Sequence, residues 1–297
     1  MMSDLMTVAL AGFAAAFVDG ALGMGFGPTS SSILLSAGIS PAGVSATVNI
    51  AKVATGFVSG ASHWRFGNID RRLVLRLAVP GMFGAGLGTY ILTNVDGDQL
   101  RPFLAVLLSL IGLRILLRFR RPIDSDGSAA IDHARTRGVE IAGAAGGVTN
   151  GLIGAWGPVV TPFLLHRRIM PRIVVGSVNT AEVAVAFVAA GSLLTSASTG
   201  IDVGTVVAML TGGVIAAPVA AWSVRFVPAR TLGLLVAGLL LLTNARELAN
   251  WAELGVSRWG IYAGVAVLVG AAGVGTRFDR STRRSELASC DQVGIAQ

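Results

Sequence analysis

The chain is poor in charge, in lysine and in cysteine. Charged residues make up 13% of its 297 residues, against roughly 25% in soluble globular domains. The single cysteine, Cys290, excludes a disulfide framework and a cysteine-based zinc site. The apolar segments contain no Ser/His/Asp grouping, no HExxH motif and no pair of carboxylates. The sequence therefore predicts neither an enzyme nor a bound metal or cofactor.

Hydrophobic residues take the place of the missing charge. They make up 53% of the chain, and the mean hydropathy is +0.70. A bilayer-spanning helix needs about 20 apolar residues, and only helices or closed barrels satisfy the backbone in lipid. We therefore predict an all-α integral membrane protein that passes several times through the cell (plasma or inner) membrane. Full-length apolar segments fall at residues 41–62, 72–92, 99–118, 171–195, 202–226, 229–247 and 256–276.

The net charge of +7 is carried almost entirely by arginine, since Lys52 is the only lysine. The arginines lie in short loops between the apolar segments and in the C-terminal tail, and no aromatic–basic interleaving typical of RNA binding is present. Basic loops of membrane proteins face the cytoplasm. Because the arginines are spread over loops without interleaved aromatic residues, the sequence predicts no nucleic-acid partner. The segments predicted to be cytoplasmic are 63–72, 119–138, 166–172 and the tail.

Two stretches of the chain follow one pattern at a constant offset of 130 positions. Each has a Gly-Pro pair, a further proline, and an Asn-x-Ala sequence that ends on a charge. Such duplication is typical of transporters that bind their substrate between two related halves. The matching positions are Gly27, Pro28, Pro41, Asn49 and Lys52 in the first stretch and Gly157, Pro158, Pro171, Asn179 and Glu182 in the second.

Each repeat opens on an apolar segment interrupted by glycines, 5–37 in the first and 139–166 in the second. The first short helix, of about 14 residues, is too short for the ~30 Å apolar core. Both flanks of 139–166 are basic and therefore cytoplasmic, which indicates a re-entrant hairpin. With three crossings after each hairpin, the repeats are inverted relative to each other and the N-terminus lies outside. The alternative treats 5–37 as a crossing and places the N-terminus inside.

The predicted organisation has five parts. Each transmembrane repeat is a re-entrant broken-helix hairpin plus three transmembrane helices, and one extra C-terminal transmembrane helix brings the tail inside. A hydrophilic stretch joins the repeats as a linker. The first repeat covers 1–119, the cytoplasmic linker 120–138, the second repeat 139–250, the extra helix 251–276 and the cytoplasmic basic tail 277–297.

The glycine-rich breaks are candidate anion sites. Proline suits the first turn of a helix, so Pro28 and Pro158 each predict a half-helix whose free N–H groups point into the protein. Such helix starts attract anions through those groups and the helix dipole. The alternative is that glycine and serine only allow close packing. The candidate substrate contacts are Gly27, Pro28, Thr29, Ser30, Ser31, Trp156, Gly157 and Pro158.

Lys52 and Glu182 are charges inside apolar helices, where a charge costs at least ~2.5–3.5 kcal/mol. Their equivalent positions make each the expected partner of the other. One interpretation is a structural salt bridge between the halves; another is that Lys52 binds the anion while Glu182 carries a coupling proton. Asn49 and Asn179 are candidate substrate contacts or hydrogen bonds between helices. Asp19, at the first break, is a cap or a second candidate proton carrier.

Three runs of residues carry a resemblance to a known family. They are Gly20-Ala21-Leu22-Gly23-Met24-Gly25-Phe26-Gly27-Pro28, His63-Trp64-Arg65-Phe66-Gly67-Asn68-Ile69-Asp70 and Gly151-Leu152-Ile153-Gly154-Ala155-Trp156-Gly157-Pro158. Over nearly its full length the chain resembles the sulfite exporter TauE/SafE family of membrane transporter proteins. The resemblance implies a plasma-membrane permease for sulfur-containing anions such as sulfite, thiosulfate or sulfoacetate. The family pattern does not require Lys52 and Glu182.

We predict a permease that moves such a small anion by alternating access, with one half rocking against the other around a site near the membrane midplane. Coupling to a proton is compatible with the sequence. The predicted partners are the small anion and the lipid bilayer, and a homo-oligomer is compatible with the sequence. The alternatives are a transporter or channel for another small solute, and a membrane assembly factor without catalytic residues.

Overall fold

The structure is a computed structural model that describes residues 2–22, 24–120, 137–167, 169–196, 203–223, 229–253, 259–268 and 270. Within these residues every regular element is a helix, which agrees with the all-α prediction. The predicted tail and most of the predicted linker lie outside the described residues. The helices are α1 (Met2–Leu22), α2 (Phe26–Ser36), α3 (Pro41–Arg65), α4 (Arg71–Asn94), α5 (Gly97–Arg120), α6 (Val139–Ile153), α7 (Gly157–His166), α8 (Pro171–Leu194), α9 (Val203–Ser223), α10 (Ala229–Trp251) and α11 (Trp259–Leu268).

Six of the predicted apolar segments coincide with the long helices α3, α4, α5, α8, α9 and α10. Among the described residues, three stretches are both long and apolar enough to cross a membrane: Arg71–Asn94, Gly97–Arg118 and Arg172–Leu194. Their length and composition support an integral membrane protein. The seventh predicted segment, 256–276, is described mainly through the ten residues of α11.

The two interrupted segments each fold as a pair of helices, α1 with α2 and α6 with α7. The chain turns at Gly25, where φ is 142°, and at Gly154, where φ is 65°, and both conformations favour glycine. The helices of the second pair are short, with 15 and 10 residues. The first helix corrects a prediction, because α1 has 21 residues instead of about 14. An interior glycine costs only about 1 kcal/mol relative to alanine, so Gly20 does not end this helix.

Helices of the two repeats pack against each other in matching pairs. α4 lies on α6 and α1 lies on α9, while α3 lies on α8 and α5 lies on α10. Glycine lets membrane helices approach closely. A Cβ added to Gly84 would lie 2.2 Å from the carbonyl oxygen of Ala144, and one added to Gly212 would lie 1.9 Å from that of Ala9. The same kind of contact therefore joins α4 to α6 and α9 to α1.

Two clusters of buried apolar side chains form the core. The first includes Val44 and Val48 of α3 together with side chains of α1, α2, α5 and α10. The second includes Val178 and Val185 of α8 together with side chains of α4, α6 and α7. Because α3 packs on α8, the two clusters are held together at the contact that carries the predicted charge pair.

Candidate functional site

A polar cavity of about 90 Å³ lies where the two helix breaks meet the contact between α3 and α8. The cavity is lined by residues of the two helix breaks and by residues on the facing sides of α3 and α8. The breaks contribute Asp19, Met24, Gly25, Phe26, Gly27, Pro28, Gly157 and Pro158. The helix pair contributes Lys52, Thr55, Gly56, Ser59, Asn179, Glu182 and Val183. The structure therefore places the predicted anion-binding breaks and the predicted charge pair at one cavity.

Both half-helices begin at this cavity, and only the start of α2 has a side-chain cap, since the Asp19 carboxylate accepts from the Phe26 N–H at 3.4 Å. The N-cap residues, Gly25 of α2 and Trp156 of α7, make no side-chain hydrogen bond to the first turn. Proline stands in the first turn of each helix and contributes no N–H group. Each helix start carries about half a positive charge. The cavity is thus bordered by two positive helix ends from different halves of the chain.

Lys52 is buried at the cavity wall, with 7% of its side chain exposed. Its ammonium donates to the Glu182 carboxylate, to the carbonyl oxygen of Gly154 at 2.5 Å, and to Oδ1 of Asn150 at 3.3 Å. The ion pair confirms that the two equivalent charges are partners. Lys52 also has two partners on the α6–α7 break, which the repeat pattern alone did not predict.

Side chains of the first repeat cap the end of α6. The last carbonyl groups of a helix have no partner within it. Ser45 Oγ donates to the carbonyl oxygen of Gly151 at 2.6 Å, and Ser31 Oγ donates to that of Ile153 at 2.6 Å. The Lys52 ammonium bonds to the next carbonyl along, and a cation at the negative end of a helix is favourable. The polar face of α3 thus stabilises a helix end inside the protein.

Asn49 belongs to the same cap. Its Nδ2 donates to the carbonyl oxygen of Asn150 at 3.2 Å, and Asn150 Nδ2 donates to Asn49 Oδ1 at 2.6 Å. Both side chains are fully buried. Asn49 therefore makes hydrogen bonds between the repeats and does not line the cavity.

Four more predicted contacts lie away from the cavity. Ser30 Oγ bonds to backbone oxygens of its own helix, and Ser31 caps α6. Trp156 is buried and donates from Nε1 to the carbonyl oxygen of Val178 at 3.2 Å. Thr29 is fully buried, and its hydroxyl has no hydrogen-bond partner among the described residues. The predicted residues that line the cavity are Asp19, Gly27, Pro28, Lys52, Gly157, Pro158, Asn179 and Glu182.

Three polar residues of the site, among them Thr55 at the cavity wall, were missed from the sequence. Ser59 lines the cavity and lies 3.4 Å from Nδ2 of Asn179. It stands one helical turn beyond Gly56 on the polar face of α3, so the 3.6-residue spacing could have identified it. Asn150 forms hydrogen bonds with both Lys52 and Asn49. It stands in a glycine-rich break, where the sequence does not distinguish a hydrogen-bonding residue from one that only allows close packing.

The charges of the cavity are one ammonium and two carboxylates. Lys52 pairs with Glu182, whereas Asp19 forms no ion pair with a described residue. The only hydrogen bond to Asp19 among the described residues is from the backbone N–H of Phe26, at 3.4 Å. Within the same part of the chain, no three His, Cys, Asp or Glu side chains are grouped to hold a metal ion. The site is therefore suited to electrostatic binding.

Comparison with known proteins agrees with these features. The family model described as "Sulfite exporter TauE/SafE" matches residues 8–247. The chain is 39% identical over 254 residues to "Probable membrane transporter protein YtnM" of Bacillus subtilis (strain 168), and the alignment covers 84% of each chain. No solved structure matches the chain.

Proposed function

The chain belongs to the sulfite exporter TauE/SafE family, and on that premise we propose that it moves a small sulfur-containing anion through the cavity between its two helix breaks. Sulfite, thiosulfate and organosulfonates such as sulfoacetate are the candidate substrates. The family and the similar Bacillus protein are membrane transporters, so the chain is a multi-pass membrane transporter and not an enzyme.

One observation carries the proposal. Two helix starts from different repeats and the buried ammonium of Lys52 border the same cavity. Backbone N–H groups at a helix start bind oxyanions without added side-chain charge. The anion would therefore lie between the starts at Gly27 and Gly157, with Asn179 as a side-chain contact and with the Lys52 ammonium, whose three N–H groups already have acceptors, attracting it by charge.

The charges of the site favour a coupled proton. Lys52 and the two helix starts contribute about two positive charges, and Asp19 and Glu182 contribute two negative ones when ionised. An added anion leaves the cavity negative unless a proton binds with it. Since Lys52 already holds Glu182 as its counter-ion, Asp19 is the proposed proton carrier.

Transport into proteoliposomes tests this proposal. Labelled sulfite, thiosulfate or sulfoacetate should enter faster when the outside is more acidic, and Asp19→Asn should remove this dependence because asparagine cannot take up a proton. Asp98→Asn is the control, since the Asp98 side chain is 97% exposed on the protein surface. Failure to move any of the three anions would contradict the substrate class, and a pH dependence that survives Asp19→Asn would contradict the role of Asp19.

The helix pairs support a twofold relation between the repeats, and the basic loops favour an inverted one. When the repeats are exchanged helix for helix, the pair of α4 with α6 becomes the pair of α9 with α1, and the pairs of α3 with α8 and α5 with α10 are unchanged. Inverted repeats that exchange in this way permit alternating access around a central site. In this topology the N-terminus lies outside and the C-terminal tail lies in the cytoplasm.

Cysteine labelling in intact cells checks the orientation. Cys290 is the only cysteine, so a membrane-impermeant maleimide should leave the native protein unlabelled if the tail is cytoplasmic. Met2→Cys in a Cys290→Ser background should be labelled if the N-terminus is outside. Protection of the new cysteine in intact cells, with labelling after lysis, would place the N-terminus inside and exclude a re-entrant first hairpin.

A further inference from the structure

A second concave surface lies on the outside of the helix bundle. We name it the α3–α4–α8 groove, and its volume is about 860 Å³, within the range of about 300–1,000 Å³ found for small-molecule sites. Its wall is mainly apolar and includes Phe57 of α3, Leu75 of α4 and Phe187 of α8, each more than 60% exposed. In a membrane protein such an apolar surface faces lipid chains.

The length of the groove matches one leaflet of the bilayer. Along α4 it extends from Arg71 to Met82, eleven steps along the helix, which is about 16 Å at a rise of 1.5 Å per residue. Half of the apolar core of a bilayer is about 15 Å thick. A single extended acyl chain therefore fits along the groove from the membrane surface to the midplane.

One end of the groove carries a cation and an amphipathic aromatic ring. Arg71 and Trp64 both line it at the turn between α3 and α4. Trp is enriched at the membrane–water boundary, so this end marks the level of the lipid headgroups. No described residue forms an ion pair with Arg71, whereas Arg76, one turn further along α4, pairs with Glu140. An exposed guanidinium at headgroup level is suited to a phosphate.

We propose that the α3–α4–α8 groove is a binding site for an anionic phospholipid of the leaflet that meets the α3–α4 turn. The acyl chain lies along the groove, and Arg71 binds the phosphate. Gly56 and Val183 line both the groove and the polar cavity, so the far end of the chain contacts the wall of the cavity. This lipid site does not depend on which solute is transported.

The test uses the full chain in phosphatidylcholine vesicles that contain a photoactivatable phosphatidylglycerol. Cross-links to the native protein should map to the groove surfaces of α3, α4 and α8. Arg71→Gln should lower cross-linking of this phosphatidylglycerol, relative to the same probe made as phosphatidylcholine, by roughly fivefold, the effect of one arginine at a membrane surface. Arg72→Gln is the matched control, because Arg72 is also exposed but does not line the groove. If both variants lose cross-linking equally, the effect is a general attraction of the anionic lipid to basic residues at the protein surface. The proposed site would then be wrong.

A second variant tests the apolar part of the groove. A Cβ on Gly60 would meet only Thr180 Oγ1, at 3.8 Å, so Gly60→Leu should fill the groove without moving α3. It should remove the groove cross-links of both lipids, whereas Gly86→Leu, on an open surface of α4 outside the groove, should not. Groove cross-links that persist in Gly60→Leu would contradict the proposal. So would equal capture of the two lipids by the native protein, or cross-linking of the groove to a second copy of the chain.

Discussion

Lys52→Ala is expected to remove most of the initial rate of anion transport and to destabilise the protein, because removing one partner of a buried ion pair costs about 3–5 kcal/mol of stability. The substitution leaves the Glu182 carboxylate, the Gly154 carbonyl group and the Asn150 amide without their shared donor. It also removes the one ammonium at the proposed anion site. The measurement is uptake of labelled substrate into proteoliposomes, normalised to the amount of monodisperse protein.

Arg76→Ala is the matched control for this change. The Arg76–Glu140 pair also joins the two repeats, but it is partly exposed, with 27% and 49% of the two side chains accessible. Exposed pairs contribute about 0–1 kcal/mol, so transport should fall little. Near-native transport by Lys52→Ala would show that neither the ion pair nor the cavity ammonium is needed.

The charge-swapped variant Lys52→Glu with Glu182→Lys separates the ion pair from the cap of α6. If Lys52 only paired with Glu182, the swap would restore transport. The structure leads us to expect no restoration, because the swap places a carboxylate beside the Gly154 carbonyl oxygen, at the negative end of a helix. Recovery of most of the native rate would refute the capping role of Lys52.

Gly27→Ala is expected to abolish transport and to lower stability by about 1–3 kcal/mol, the usual cost of forcing atoms into a packed interior. A Cβ on Gly27 would lie 1.7 Å from the Gly154 carbonyl oxygen, and this obstacle is backbone that no rotamer change can move. The start of α2 would separate from the α6–α7 break, which carries the Gly154 carbonyl group that Lys52 binds. Thermal unfolding followed by tryptophan fluorescence, together with uptake, measures both effects.

Gly86→Ala provides the reference for that experiment. Nothing lies within 4 Å of a Cβ added at Gly86, which is also in a membrane helix. The control should keep the native unfolding temperature and transport rate, or gain slightly in stability from the lower flexibility of the unfolded chain. If Gly27→Ala behaves like Gly86→Ala, the close approach of the two breaks is not required for function.

The sequence was sufficient for six of the long helices and for the charge pair, but not for the length of α1. Apolar length placed α3, α4, α5, α8, α9 and α10, because a membrane imposes a minimum length on each crossing. The constant offset paired Lys52 with Glu182, since two opposite charges inside apolar helices each need a partner. Both inferences use constraints that act along the whole chain and do not depend on details of packing.

The roles of single hydroxyl and amide groups could not be predicted in the same way. Ser31 and Asn49 stand beside the breaks, where either a substrate or a neighbouring carbonyl group could accept their hydrogen bonds. The outcome depends on whether α6 ends within about 3 Å of them, and that distance is set by packing between residues about 100 positions apart. Trp156 likewise stands in the break, but its ring is buried against Gly81 and Gly146, where small residues leave room.

The contact between Lys52 and Glu182 has a consequence for the ancestry of the chain. A single repeat that paired with its own copy would place the same residue at both positions, lysine against lysine or glutamate against glutamate. Opposite charges at matching positions therefore require two separately encoded repeats. Together with the cap that the first repeat places on α6, they mean that neither half can take the place of the other. The site described here could only have arisen after duplication, when the two copies were free to diverge.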